Sequence, residues 1–289
     1  MKELFSIELN KAFRNRWFAI ALLIGCALAC GSAAISIDAQ LTWQQGSDGV
    51  GWVASDEWVG STITGAYTDW MLVAGSDPFA AGLFFFIAPM LVVMPYAWSM
   101  RTEMMDGYII QQAARFDARK IYWCRYFAVF LTSGAVVAIP LILNFLVCLC
   151  FIPAYMPDIT TNLYLGINAQ ELWARELFTM PLLYVVYNIV LDFLLCGLWG
   201  GLVLAVSLVV KNRVALIAGS FLLTAVMRVF NNSIFMLLGV HGFRFNFTDI
   251  LFQGALTYYR EGWPIIVLML IMAVLSITLF WMHKRDDVL

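Results

Sequence analysis

Residues 181–210 read PLLYVVYNIVLDFLLCGLWGGLVLAVSLVV, an apolar run of thirty residues in which Asp192 carries the one formal charge. An α-helix rises about 1.5 Å per residue, so about 20 apolar residues cross the hydrocarbon core of a bilayer. Helices of soluble proteins carry polar and charged residues along a water-facing side, and this run does not. The stretch therefore predicts a transmembrane helix.

Five more apolar runs of similar length occur along the chain. Together they predict six membrane spans, at 17–37, 79–100, 126–152, 181–210, 214–238 and 264–282. Prolines interrupt the second and third spans, which membrane helices tolerate when neighbouring helices bind the freed backbone groups. We expect an all-α polytopic membrane protein that forms one domain over residues 1–289.

The composition agrees with a membrane protein. Of the 289 residues, 62% are hydrophobic and 12% are charged, whereas about a quarter of the residues in soluble domains are charged. So few charges cannot cover the surface of a soluble domain of this length. The composition excludes a soluble enzyme, a nucleic-acid-binding protein and a disordered chain.

Basic residues are distributed unequally between the two sides that six spans would create. One side would carry thirteen: Lys2, Lys11, Arg14, Arg16, Arg101, Arg115, Arg119, Lys120, Arg125, Lys211, Arg213, Lys284 and Arg285. The other would carry three: Arg175, Arg244 and Arg260. Lys and Arg are concentrated in cytoplasmic loops, so we expect both termini in the cytoplasm and the chain in the cytoplasmic membrane.

Residues 1–16 predict an amphipathic helix at the membrane interface. The residues expected on its apolar face are Phe5, Leu9, Ala12 and Phe13. Lys11 and Arg14 lie opposite, where they favour the anionic inner leaflet. Two roles remain open for this helix: it anchors the topology, or it has a mechanical role in a larger assembly.

Residues 38–78 predict an extracytoplasmic loop that carries six acids and no basic residue. The loop is also rich in tryptophan and glycine. One interpretation is a solvated cap that rests on the membrane interface through its tryptophans. The other is a surface that meets a cationic amphipathic peptide or an accessory protein.

The loop between spans two and three, residues 101–125, is the most informative polar stretch. Glu103 is followed by Gly107, a residue type that often ends a helix. Residues 108–115 then make about two helical turns with an apolar side. Asp117 suits the N-cap of a helix that leads into span three. A short helix held between two spans suits docking into a groove on a partner; the alternative is an ordinary basic loop.

These features resemble the permease subunits of ABC transporters of the type-2 exporter class. The shared features are the interfacial helix, the six spans, and a loop with Glu-x-x-x-Gly before a basic Arg-Lys-Ile-Tyr stretch at 119–122. The resemblance implies a coupling helix that docks on a separate ATPase subunit. The docking residues that it implies are Glu103, Gly107, Tyr108, Ile109, Ile110 and Arg115. It also implies short re-entrant helices between spans five and six, within residues 243–261.

The resemblance further implies a dimer of permeases, identical or different, that works with two ATPase subunits. A P-loop needs Gly-x-x-x-x-Gly-Lys-Ser/Thr, and no glycine of this chain is followed by lysine. We therefore expect no enzyme activity and no cofactor in this chain, with ATP and Mg bound by the partner ATPase. The apolar spans favour an amphipathic or apolar cargo, such as a peptide antibiotic or a lipid-like molecule, and hence a role in immunity or resistance.

Two charges fall inside the predicted spans, Asp192 in the fourth and Arg228 in the fifth. Their depths differ by about 5 Å, which predicts an ion pair between them. The pair is either structural or part of a substrate path or gate. Asn144 and Asn188 are expected to form hydrogen bonds between helices.

Two functions of other classes remain open at this point. An ion-coupled carrier would use Asp192 as its proton or cation site. A structural or sensor protein of the membrane would have no transport path at all.

Overall fold

The computed structural model describes residues 2–49, 65–73, 78–157, 172–210, 212–237, 246–252 and 262–283. Over these ranges the chain is helical, with turns and short connections between the helices. The helices are α1 (Lys2–Phe13), α2 (Arg16–Gly49), α3 (Ala66–Asp69), α4 (Pro78–Val93), α5 (Ser99–Met105), α6 (Tyr108–Ala113), α7 (Ala118–Phe151), α8 (Ala174–Thr179), α9 (Pro181–Val206), α10 (Arg213–Leu237), α11 (Phe247–Leu251) and α12 (Trp263–His283). Five of the basic residues used to orient the chain lie outside the described residues: Lys211, Arg244, Arg260, Lys284 and Arg285.

Five of the described helices are long and apolar enough to cross a membrane: α2, α7, α9, α10 and α12. They correspond to five of the six predicted spans, so the all-α, polytopic membrane character is confirmed. The remaining span corresponds to α4, which is 16 residues long. A helix of that length reaches about 24 Å, short of the roughly 30 Å of a hydrocarbon core.

The second predicted span is shorter than expected because α4 stops two residues before Pro95. Proline has no N–H to donate to the preceding turn of a helix, and its ring clashes with that turn. Side chains bind carbonyl groups at this break. Ser133 Oγ donates to Val92 O at 2.8 Å, and Asn15 Nδ2 donates to Pro95 O at 2.6 Å.

The helix α7 is the centre of the bundle and packs against α1, α2, α4 and α9. Its contact with α9 is close because four glycines line it: Gly134 of α7 and Gly197, Gly200 and Gly201 of α9. A Cβ atom at Gly134 would lie 2.7 Å from the backbone oxygen of Phe193. Small residues of this kind let membrane helices approach until their backbones touch.

Part of the predicted extracytoplasmic loop 38–78 is packed inside the bundle. The helix α2 continues to Gly49, so the loop begins later than expected. Residues 65–73 are buried except for the half-buried Tyr67, and Trp70 has no exposed surface. Ser36 Oγ of α2 donates to Asp69 O at 3.0 Å. For Asp69 and Trp70, therefore, neither a solvated cap nor an exposed docking surface describes the structure.

Of the two asparagines expected between helices, Asn144 forms the predicted kind of contact. Its Oδ1 accepts from Met71 N and its Nδ2 donates to Ala29 O, both at 2.8 Å, so it joins α7 to α2 and to the buried segment. Asn188 differs, because its Nδ2 donates to Tyr184 O one turn earlier in the same helix, at 2.8 Å.

The buried face of α1 differs from the expected one. Leu4, Glu8 and Ala12 are fully buried, whereas Phe13 is 38% exposed and Phe5 and Leu9 are partly buried. Leu4 packs with residues of the first turns of α7, chiefly Ile121 and Cys124. The face is rotated because an acid, Glu8, lies at its centre and is bound by charges of other helices.

The short helix α11 lies inside the bundle, in contact with α4 and α10. All five of its residues are buried. The Phe247 ring stacks on Trp199 of α9 with centroids 4.7 Å apart, and Phe252 packs on Phe85 of α4 at 5.2 Å. The rest of the 243–261 stretch lies outside the described residues.

We predict that Gly134→Ala lowers the free energy of unfolding by about 1–3 kcal/mol, because the added methyl group meets the backbone of α9 and no rotamer can avoid it. Gly219→Ala is the matched control, since nothing lies within 4 Å of a Cβ there. Thermal unfolding in detergent, followed by tryptophan fluorescence, measures both. Equal melting temperatures for the two variants would contradict the close contact.

Candidate functional site

The loop between α4 and α7 folds as two short helices with the turn chemistry that its sequence predicts. Gly107 separates α5 from α6 and has φ +70°, a left-handed conformation that costs glycine little. Asp117 is the N-cap of α7, where its Oδ1 accepts from Arg119 N at 3.2 Å. Both local predictions are confirmed. The turn at Gly107 and the cap at Asp117 hold α6 between α5 and α7.

A buried arginine lies where this loop meets the bundle. Arg125, two turns into α7, has no exposed surface. Its Nε lies 3.1 Å from Glu8 Oε2 and its Nη2 lies 3.2 Å from Glu8 Oε1, so the pair is bidentate. Nη2 also donates to Glu103 of α5, and Nη1 lies 3.3 Å from Met100 Sδ.

Glu8 has as many donors as a carboxylate can accept. Besides the two from Arg125, Tyr96 OH donates to Oε2 at 2.9 Å and Gln112 Nε2 donates to Oε1 at 3.2 Å. Four donors saturate the lone pairs of an ionised carboxyl group. The donors come from α6, α7 and the turn before α5, so this carboxylate of α1 joins four parts of the chain.

Glu103 extends this arrangement toward the surface. Its side chain is 18% exposed, and its Oε1 lies 3.4 Å from Lys11 Nζ. Lys11 Nζ also lies 3.8 Å from the centre of the Tyr108 ring, a cation–π geometry. We call the six residues the base cluster: Glu8, Lys11, Tyr96, Glu103, Gln112 and Arg125. It contains two cations and two carboxylates, which balance.

Electrostatics inside the base cluster keep its charges in place. Burial alone would raise the pKa of Glu8, but the Arg125 guanidinium and the hydrogen bonds from Arg125, Gln112 and Tyr96 outweigh burial and lower it. Burial raises the pKa of the Tyr96 hydroxyl, and the neighbouring carboxylates Glu8 and Glu103 act in the same direction against Arg125. Tyr96 therefore remains a hydrogen-bond donor at neutral pH.

The structure brings together part of the predicted docking set. Glu103 and Tyr108 meet through Lys11, and Gly107 forms the turn between them. Ile109 and Ile110 are part of α6. Arg115 follows α6 and is exposed. Glu103 also binds Arg125 inside the cluster, and its side chain remains partly exposed.

Sequence reasoning did not single out four members of the base cluster: Glu8, Tyr96, Gln112 and Arg125. Arg125 was counted only as one basic residue among thirteen. A signal for Glu8 does exist in the sequence. It lies midway between Leu4 and Ala12 at spacings of four, and an acid on a buried face requires a partner of opposite charge.

The expected pair between Asp192 and Arg228 is not formed among the described residues. Arg228 Nε lies 3.3 Å from Asp249 Oδ1 of α11 instead. Asp192 is 1% exposed, and its Oδ2 has no hydrogen-bond partner in the described part of the chain. The long spans alone offer Asp192 at a matching depth, but α11 places a second acid, Asp249, inside the bundle.

The base cluster joins α6 to α1, α5 and α7 through charged and hydrogen-bonded side chains. Its charges are compensated, and every element that it joins is a helix or a tight turn. A displacement of α6 would reach Glu8 through Gln112, and from there Arg125 and the long helix α7. Breaking the Glu8–Arg125 contact would leave a buried charge without its partner, so α1 and α7 are expected to move together.

No protein-family model, no curated protein and no solved structure matches this chain in comparisons of sequence and fold.

We predict that Glu8→Gln and Arg125→Met each lower the free energy of unfolding by about 3–5 kcal/mol, because each leaves a buried charge unpaired. The double variant should lose less than the two single losses together. Lys11→Met is the control; its side chain is 34% exposed, so its loss should stay under about 1 kcal/mol. Denaturant unfolding in detergent gives the four values, and additive losses would refute the direct pairing.

The lowered pKa of Glu8 makes its stabilising effect depend on pH. The contribution is complete above the ordinary carboxyl pKa of 4.5 and is lost as the pH falls through the lower value in the folded state. The stability difference between the natural chain and Glu8→Gln should therefore be constant near neutral pH and shrink below 4.5. Melting temperatures of the two proteins between pH 7 and about pH 3 measure it. A difference that grows with acidity would contradict the assignment.

Proposed function

We propose that this chain is the permease subunit of an ABC exporter and that α6 is its coupling helix. The observation that carries the proposal is the base cluster, which fixes a short helix between two spans and ties it to the N-terminal helix and to the central helix α7. If a motor protein displaced α6, the base cluster would pass the movement to the interior of the bundle while α6 stayed attached to it.

The distribution of basic residues supports the orientation. Within the described residues, α1, α5, α6 and the first turns of α7 form one end of the bundle, and most of the basic residues used to orient the chain lie there. Such an excess is typical of the cytoplasmic side. The proposal therefore places both termini and α6 in the cytoplasm and the chain in the cytoplasmic membrane, with α4 as a sixth crossing and α11 as a re-entrant helix.

The remaining parts of the machine lie on other subunits. ATP and Mg would be bound by an ATPase subunit that docks on α6, and a second permease copy would complete the transport path. Exposed residues at α6, such as Gln111 and Arg115, would contact the ATPase. Glu103 and Gly107 position that surface. An amphipathic cargo, such as a peptide antibiotic or a lipid-like molecule, suits the apolar bundle.

We predict that Arg115→Glu abolishes recovery of the ATPase with the permease, because the reversed charge lies on the proposed docking surface. The full chain is tagged and captured from its own membranes, and a P-loop protein with ATPase activity is sought in the eluate. Lys120→Glu is the matched control, since it makes the same charge change at an exposed position of α7. Deletion of residues 108–115 should remove the ATPase entirely.

Two results would contradict the proposal. One is equal recovery of the ATPase with Arg115→Glu and with Lys120→Glu. The other concerns orientation: a cysteine placed at Arg115 should react with a membrane-impermeant maleimide only after the cells are opened. Labelling in intact cells, above the level of the parent chain, would place α6 on the wrong side of the membrane.

A further inference from the structure

A line of polar side chains runs along the buried side of α9. Asn188, Asp192 and Trp199 lie within about 40° of one another around the helix. Their exposed fractions are 0%, 1% and 4%. The glycines that contact α7, such as Gly197 and Gly200, lie on another side of α9. The three residues, which we call the α9 polar face, therefore point into the bundle.

Each residue of the α9 polar face has a polar atom without a hydrogen-bond partner in the described part of the chain: Asn188 Oδ1, Asp192 Oδ2 and Trp199 Nε1. Asp192 lies eleven residues after Pro181 and fourteen before Val206, about 16 Å and 21 Å from the two ends of α9. Water is scarce at that depth, and charged or polar groups left unbound there are costly and mark functional sites.

The free atoms of Asn188 and Asp192 are both oxygen acceptors. Asn188 Nδ2 is already used within the helix, and no cation lies within salt-bridge distance of Asp192 among the described residues, since Arg228 is bound to Asp249. A group that supplies positive charge or N–H donors would fill both acceptors, which lie on adjacent turns. The partner that fits is a cation.

A metal ion fits this site poorly. Hard cations such as Ca²⁺ and Mg²⁺ take about six to eight oxygen ligands, and the described residues contain no group of three or more His, Cys, Asp or Glu side chains that could hold a metal. Aromatic rings lie along the same face instead, since Phe247 stacks on Trp199 at 4.7 Å. Rings and one carboxylate together bind organic ammonium groups.

We propose that Asp192 and Asn188 bind the ammonium or amino group of an organic cation inside the bundle, with the aromatic pair Trp199 and Phe247 contacting its apolar part. The site follows from the structure of this chain alone. That the bound molecule is the cargo rests on the proposed export function, and it narrows the cargo to amphipathic molecules with a positive charge.

The test uses the full chain in phosphatidylcholine nanodiscs, without ATP and without any ATPase. Ethidium, a permanent cation with two amino groups on an aromatic body, is titrated, and its fluorescence is corrected with empty nanodiscs. We expect saturable binding to the natural chain and at least about tenfold weaker binding to Asp192→Asn, since a charge-assisted hydrogen bond is lost. Asp117→Asn is the control, because it removes the same charge from an exposed position and should bind like the natural chain.

A second measurement distinguishes a loss of ethidium binding from a loss of folding. Ethidium should raise the melting temperature of the natural chain and of Asp117→Asn, but not that of Asp192→Asn. Dodecylammonium should displace ethidium, and dodecanol, which has the same chain and no charge, should not. These results together would support the site.

Three outcomes would overturn the proposal. They are the absence of saturable ethidium binding by the natural chain, equal affinities for the natural chain and Asp192→Asn, and equal displacement by dodecanol. Equal affinities together with a lower melting temperature of Asp192→Asn would assign the carboxyl group a structural role. Because no ATPase is present, failure here leaves the docking result intact, and failure of ATPase capture leaves the binding result intact.

Discussion

The structure depends on the pairing of Arg125 with Glu8. A guanidinium group does not lose its proton in a protein, so an arginine with no exposed surface must keep a negative partner wherever it lies. Glu8 supplies a bidentate contact from another helix, and Glu103 supplies a third bond. These contacts hold α1 against α7 and fix the position of α5, which leads into α6. Without the charge, the apolar contact of Leu4 with the first turns of α7 would be left to hold the two helices together.

The central helix α7 connects the base cluster to the rest of the bundle. Arg125 is near its beginning, and Asn144, nineteen residues further along and about 29 Å away, holds α2 and the buried segment before α4. Between these points α7 and α9 approach so closely at their glycines that a Cβ atom would not fit. We therefore expect a displacement at one end of α7 to carry α9, and with it the α9 polar face.

Sequence patterns could predict what depends on neighbouring residues. Apolar runs located the long helices, Gly107 located a turn and Asp117 located a cap, since each is decided within a few residues. Glu8 and the segment at 65–73 were not placed correctly, because their positions depend on partners that lie dozens of residues away. The acids of the predicted loop indicated a solvated segment, and the buried Asp69 and Trp70 show that tertiary packing can reverse that indication.

Asp192 and Asp249 show why depth along the spans is not enough to identify the partner of a buried arginine. Among the long helices, Asp192 is the one acid at a depth that matches Arg228, so the sequence predicted that the two would pair. The inserted helix α11 brings Asp249 within 3.3 Å, and a nearer carboxylate takes the arginine. Asp192 is then a buried acid without a counter-charge among the described residues, unlike Glu8, which has every acceptor site filled. Paired charges hold helices together, whereas a buried carboxyl group without a partner has an unfilled acceptor site that a ligand can occupy.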